Sequence, residues 1–211
     1  MTIKIESFEP YHIGMKLTNV ELESLRDKLV KPLKDLSFEI IQRPVGTIGI
    51  RLQKEDIAAK DGVKVEIAYS ASALNVIGDN PNKVSGFFDK IHKEYVNLGN
   101  DPEATVQFYE VISNIIISTN KEPNSIINEV FKLPLKSLKN YPNKMITAIP
   151  LSAINPETNE GLNIIIEASP SSPKNRFRLR LLYRATTPTS ISQFSSKVES
   201  IISKILLELG A

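Results

Sequence analysis

A chain of 211 residues, 41% apolar and 24% charged, is long enough to bury a substantial core and too apolar to stay unfolded. It has no cysteine and only two histidines, His12 and His92, which excludes disulfides, thiol nucleophiles and thiolate metal sites and leaves little for an imidazole-rich metal centre. The 26 basic and 24 acidic residues give a net charge of +2, too near neutrality for overall charge to name a nucleic-acid partner, and no apolar run approaches a bilayer span. The expectation is a cytoplasmic protein with no membrane segment, no cleaved leader, no metal and no cofactor.

Along the chain, Ile13, Met15 and Leu17 alternate as in a strand. Thr18 or Asn19 reads as an N-cap, with Glu21 and Glu23 in the first turn, for a helix to about Lys31 that buries Leu22, Leu25, Leu29 and Leu33. Pro32 has no amide hydrogen and its ring clashes with the preceding turn, so it should end or kink that helix. SFEII and TIGIRLQ read as a hairpin around Arg43-Pro44-Val45-Gly46, in which Gly46 and Gly49 are turn chemistry and not a phosphate loop. KEDIAAKDG reads as a polar connection, and VKVEIAYS and ALNVI as strands. Asp79-Asn80-Pro81-Asn82 starts a helix with the face Val84, Phe87, Phe88, Ile91 and Tyr95, closed by a glycine cap near Gly99.

NLGNDPEA marks a boundary, after which the order repeats. A strand spans Val106 to Ser118, a helix runs from about Ser125 to Leu133, strands cover Met145 to Ile154, Leu162 to Ala168 and Arg176 to Arg184, and a helix begins at Ser190. KPLKDL (Lys31 to Leu36) nearly recurs as LPLKSL (Leu133 to Leu138). With Pro32 on Pro134, Ile13, Met15 and Leu17 fall on Ile115, Ile117 and Thr119, and Leu25 and Leu29 on Ile127 and Phe131. DGVKVEIAYS falls on EGLNIIIEAS, and Val84, Phe87, Ile91 and Tyr95 fall on Ile191, Phe194, Val198 and Ile202. A tandem duplication is the reading. The predicted fold class is α+β: a strand, helix, antiparallel strands and helix unit at 1–99 and again at 104–211, joined as one pseudo-twofold curved sheet with helices on one face.

In this layout the chain resembles the duplicated saddle of the TATA-box-binding protein fold, which implies a concave sheet face able to meet DNA. That family's phenylalanines and basic motifs have no counterparts to place here, so no DNA-contacting residue carries over. The stretch VEIAYSASALNVIGDNPNKVSGFFDKIHKEY, followed by VQFYEVISNIIIS, is also similar in rhythm to an uncharacterised, sporadically distributed prokaryotic family, which implies no mechanism.

The sharpest chemical feature is KNRFRLRLLYR, which holds four of the seven arginines. On a strand, Arg176, Arg178 and Arg180 project to one side while Phe177, Leu179 and Leu181 project to the other. The matching ALNVI has no arginine. Residues 1 to 102 carry 14 basic and 15 acidic groups, a net −1, whereas 103 to 211 carry 12 and 9, a net +3. The arginines read either as a solvated strand paired with acids such as Glu167 or as contacts for nucleic-acid phosphate, an acidic protein tail or a small phosphorylated ligand. Tyr183 adds aromatic character. His92 reads as a boundary residue, and His12, near Glu9, is the imidazole best placed for a cleft. Glu157 and Glu160 lie in a polar connection, and no nucleophile elbow or zinc helix is present. The expected function is therefore a non-enzymatic binding module for a protein or anionic partner through Arg176, Arg178, Arg180 and Arg184. The alternatives are a sequence-tolerant nucleic-acid binder on the saddle face and a small-molecule enzyme with a cleft between the repeats. The sequence sets no oligomeric state.

Overall fold

The computed structural model describes residues 3–42, 53–130, 148–172 and 174–210. The Arg43 to Gly46 turn, Gly49, most of TIGIRLQ and the second PLK motif with Pro134 lie outside the described residues. The first half of the chain runs β1 (Ile3–Leu17), α1 (Leu22–Asp35), β2 (Glu39–Ile40), β3 (Glu55–Lys60), β4 (Val63–Ala68), β5 (Ala73–Gly78) and α2 (Pro81–Asn97). A short α3 (Pro102–Thr105) leads to β6 (Val106–Thr119), α4 (Pro123–Val130), β7 (Ala148–Asn155), β8 (Glu160–Ala168), β9 (Arg176–Ala185) and α5 (Pro188–Glu208).

All described strands join one antiparallel sheet in the order β2-β3-β4-β5-β1-β6-β9-β8-β7. Counted outward from the central β1/β6 pair, one side reads β5, β4, β3 and the other β9, β8, β7, the same chain order in both halves. The two central strands are also the longest. Their register shifts between Ile5 and Ser7 and between Phe8 and Tyr11, where Pro10 can donate no ladder bond and a bulge accommodates it.

One face of the sheet is apolar and carries the helices. Ile13, Met15, Val111, Ile115, Phe177, Leu179 and Leu181 meet Val84, Phe88, Ile91 and Tyr95 of α2 and Ile191, Phe194, Val198 and Ile202 of α5, all buried. Each such side chain removed from water contributes about 1.5–3 kcal/mol before the entropy of ordering it. Two tyrosines tie the central strands to the long helix of the opposite half. The Tyr11 hydroxyl donates to Ser195 Oγ of α5 at 2.8 Å, and Tyr109 of β6 bonds His92 Nε2 of α2 at 2.9 Å. Burial pushes the hydroxyls of both tyrosines up, that of Tyr109 to about 12.

Several local expectations need correction. KEDIAAKDG is not a connection. Its Glu55–Lys60 is β3, because Ile57 and Ala58 are buried while the charged ends find partners: Glu55 with Arg26 and Tyr69, Asp56 with Lys64, and Lys60 with the Leu36 carbonyl. Pro32 does not end α1, which continues to Asp35 with the Leu36 amide bonded to the Pro32 carbonyl. Proline removes its own donor and crowds the carbonyl one turn back, and burial of Leu29 and Leu33 on either side offsets that cost. The N-cap is Glu21, without a side-chain bond, while Asn19 takes a left-handed turn (φ 55°) that lets the chain leave β1. NPETNEG is a tight turn between β7 and β8, held by Asn155 Oδ1 accepting from the Glu157 and Thr158 amides. By contrast, α2 starts as expected, with the Asn80 side chain accepting from the Lys83 amide, and ends before Gly99 at φ 86°. No helix among the described residues is long and apolar enough to cross a membrane.

Candidate anion-binding face

β9 lies between β6 and β8, and its alternation decides everything on this face. Phe177, Leu179, Leu181 and Tyr183 are buried toward the helices, so Arg176, Arg178, Arg180 and Arg184 emerge from the opposite, open face with Leu182 between them. Their side chains remain 38 to 53% exposed.

Each guanidinium finds a carboxylate on the same face. Arg176 Nε lies 2.8 Å from Glu6, Arg180 Nη2 3.1 Å from Glu167 and Arg184 Nε 3.1 Å from Glu110, while Arg178 reaches the same Glu167 only at 3.9 Å. The sequence could suggest Glu167 as a partner; Glu6 and Glu110 become partners only through the β1/β6/β9 register. Among the described residues, four guanidiniums thus face three carboxylates, one positive charge in excess along the strand. Pairs this exposed are worth about 0–1 kcal/mol each, so they hold the arginines in place while leaving them free to exchange partners.

The aromatic group on this face is one that residue type alone did not single out. Tyr183 points the other way, stacked on Phe194 of α5 with centroids 4.0 Å apart, and burial followed by nearby Glu160 pushes its hydroxyl up. Instead Phe108 of β6 lies under Arg184, with the guanidinium carbon 4.6 Å from its ring centroid. Ile112 of β6, the register partner of Leu182, adds an exposed apolar spot at 39%.

His12 also lies on the open face, in the row Ile77, His12, Ile112, Leu182. Beside it, Asn75 Nδ2 donates to Glu66 Oε1 at 3.0 Å, with both residues buried at 4% and 6% exposure, and Lys54 is 3.4 Å from the other Glu66 oxygen. Asn75 Oδ1 and His12 Nε2 are buried and have no hydrogen-bond partner among the described residues. Both close over Gly14: a Cβ placed there would be 2.7 Å from Asn75 Oδ1 and 3.3 Å from His12 Nε2. Both atoms are shut off from solvent, so His12 Nε2 does not open onto the sheet face. His92, likewise, is spent on Tyr109. Among the described residues no group of three or more His, Asp or Glu could hold a metal ion.

The chain matches no family model and no curated protein sequence. Among solved structures it is similar to the TBP of Methanococcus jannaschii, at 13% identity over 99% of this chain and 98% of that one, with a TM-score of 0.37. That likeness is one of layout, and no argument about function rests on it.

Proposed function

We propose that the chain is a non-enzymatic binding module whose open sheet face takes an anionic partner on Arg176, Arg178, Arg180 and Arg184. One observation carries this reading: four half-exposed guanidiniums share one sheet face and answer to three carboxylates. Because exposed pairs exchange partners at little cost, a phosphate or carboxylate of the partner can replace Glu167 at Arg178 and Arg180 and gain paired bonds. A salt-titrated binding assay against a polyanion tests it. Affinity should fall linearly with salt on logarithmic axes, and Arg178→Ala with Arg180→Ala should lower the slope by about 1.5 to 2. Binding and slope unchanged in that double variant would end the proposal.

The partner is further narrowed by Phe108 and Ile112. An aromatic ring and an apolar spot beside arginines suit single-stranded nucleic acid, whose bases stack, better than an acidic protein tail. Competition between a single-stranded oligonucleotide and polyglutamate decides between them.

A further inference from the structure

Across β6, β9 and β8, a groove of about 290 Å³ is lined by Gln107, Phe108, Asn159, Gly161, Asn163 and Arg184, and its carboxylate, Glu160, is taken up by a hydrogen bond with the Tyr183 hydroxyl. This is close to the lower end, roughly 300 Å³, of pockets that hold small molecules. Its polar groups have spare capacity. Arg184 spends only Nε on Glu110, and its two terminal nitrogens have no partner among the described residues. Asn163 Oδ1 accepts from Ser152 Oγ at 2.7 Å, which leaves its amide hydrogens available. Gly161, the register partner of Arg184, supplies a bare floor: nothing lies within 4 Å of where a Cβ would stand. The guanidinium carbon lies 4.6 Å from the Phe108 ring centroid and Nε is held by Glu110 at 3.1 Å, so the fork is anchored at two points while its terminal nitrogens point to the groove as a surface on which a second ring can lie.

We propose that this groove binds a small flat anion, an aromatic ring bearing a carboxylate or phosphate group. The ring stacks on the Arg184 guanidinium, the anionic oxygens take its terminal nitrogens, and the amides of Gln107, Asn159 and Asn163 read the ring edge. The Phe108 ring, the guanidinium and the ligand ring then form three layers. The inference rests on the anionic-partner reading at Arg184 alone, and it differs from that reading in needing a flat ring and a pocket.

The probes are benzoate and adenosine monophosphate, titrated into the full chain while the Arg184 side-chain and the Phe108 and Gly161 backbone resonances are followed. Saturable shifts are expected with one probe or both, and the tighter of the two tells carboxylate from phosphate recognition. Cyclohexanecarboxylate, an anion without a flat ring, should bind at least about tenfold more weakly. Arg184→Ala and Gly161→Val should each abolish the shifts. Gly161→Val adds a β-branched side chain to open space in a strand, so a native melting curve is expected and separates loss of the site from loss of the fold. Shifts equal with cyclohexanecarboxylate, surviving Gly161→Val, or lost in Arg178→Ala with Arg180→Ala but kept in Arg184→Ala, overturn the proposal. Polyanion binding with no response to benzoate or adenosine monophosphate sinks the groove and leaves the wider reading standing. Response to neither sinks both.

Discussion

β5 and β9 occupy matching places, each beside a central strand, and they solve the open face in opposite ways. β5 puts Ala73, Asn75 and Ile77 there, and β9 puts Arg176, Arg178, Arg180, Leu182 and Arg184. Both reach a carboxylate on the next strand out: Asn75 donates to Glu66 of β4 at 3.0 Å, Arg180 to Glu167 of β8 at 3.1 Å. The first pair is buried with a neutral donor; the second is half exposed with a charged one. The same scaffold thus carries a closed polar contact in one half and a set of exchangeable charges in the other. The binding proposed for this face falls to the exchangeable half, because a partner can displace a solvated ion pair but cannot enter a contact that is already shut.

The largest predicted effect shows what the halves share. Leu181 and Val76 are buried on the helix face, both in strands that pair with the central two. Leu181→Ala should cost about 2–5 kcal/mol. Because the sheet is continuous from β2 to β7, denaturation followed by probes in either half should remain one coincident transition. Two separated transitions would mean the halves fold independently and would weaken the comparison at its root.

Next in size is the contrast between two glycines on the open face. A methyl at Gly14 meets Asn75 Oδ1 at 2.7 Å, and Asn75 cannot retreat without leaving Glu66, so Gly14→Ala should cost about 1–3 kcal/mol. Gly161→Ala meets nothing within 4 Å and should be neutral or slightly stabilising, since glycine is a poor strand residue. Denaturant midpoints read both. Equal effects would mean the first half is no more closed than the second.

These same positions show how much was legible beforehand. The alternation of β9 was, because a period of two with arginine and leucine leaves one way to turn the strand. So was the leucine face of α1. β3 was hidden because only its middle is apolar, and its charged ends are satisfied by α1, β4 and the chain beyond α1, which no local pattern reveals. The pairing of Arg176 with Glu6 depends on the register of β1, β6 and β9 together. A glycine within the alternation of YHIGMKL did carry a signal, since glycine inside a strand marks a close approach. What approaches it, Asn75 of a neighbouring strand, is tertiary information. Phe108 against Tyr109 is the same problem: alternation says they face apart, and only the core decides which one faces the arginines.

A smaller effect tests the tie between the halves. Burial holds His92 below its ordinary value of 6.5, against a lesser upward pull from Asp89. The unfolded chain therefore takes up the proton first, so this contribution is present above about pH 6.5 and is lost as pH falls through and below it. Melting temperatures of wild type and His92→Gln measured across that range should converge toward the acid side. Parallel curves would mean that the His92 and Tyr109 contact carries no pH-dependent stability.

The smallest predicted effect bears most on function. A double-mutant cycle with Arg180→Ala and Glu167→Gln should give a coupling of about 0.2–1 kcal/mol in stability, as for other exposed pairs. In polyanion binding the two substitutions should act in opposite directions: Arg180→Ala weakens it, and Glu167→Gln strengthens it by freeing both Arg178 and Arg180 from their shared carboxylate. If Glu167→Gln instead weakens binding, the carboxylate is orienting the arginines rather than competing for them, and the contacts of the second half are no more exchangeable than those of the first.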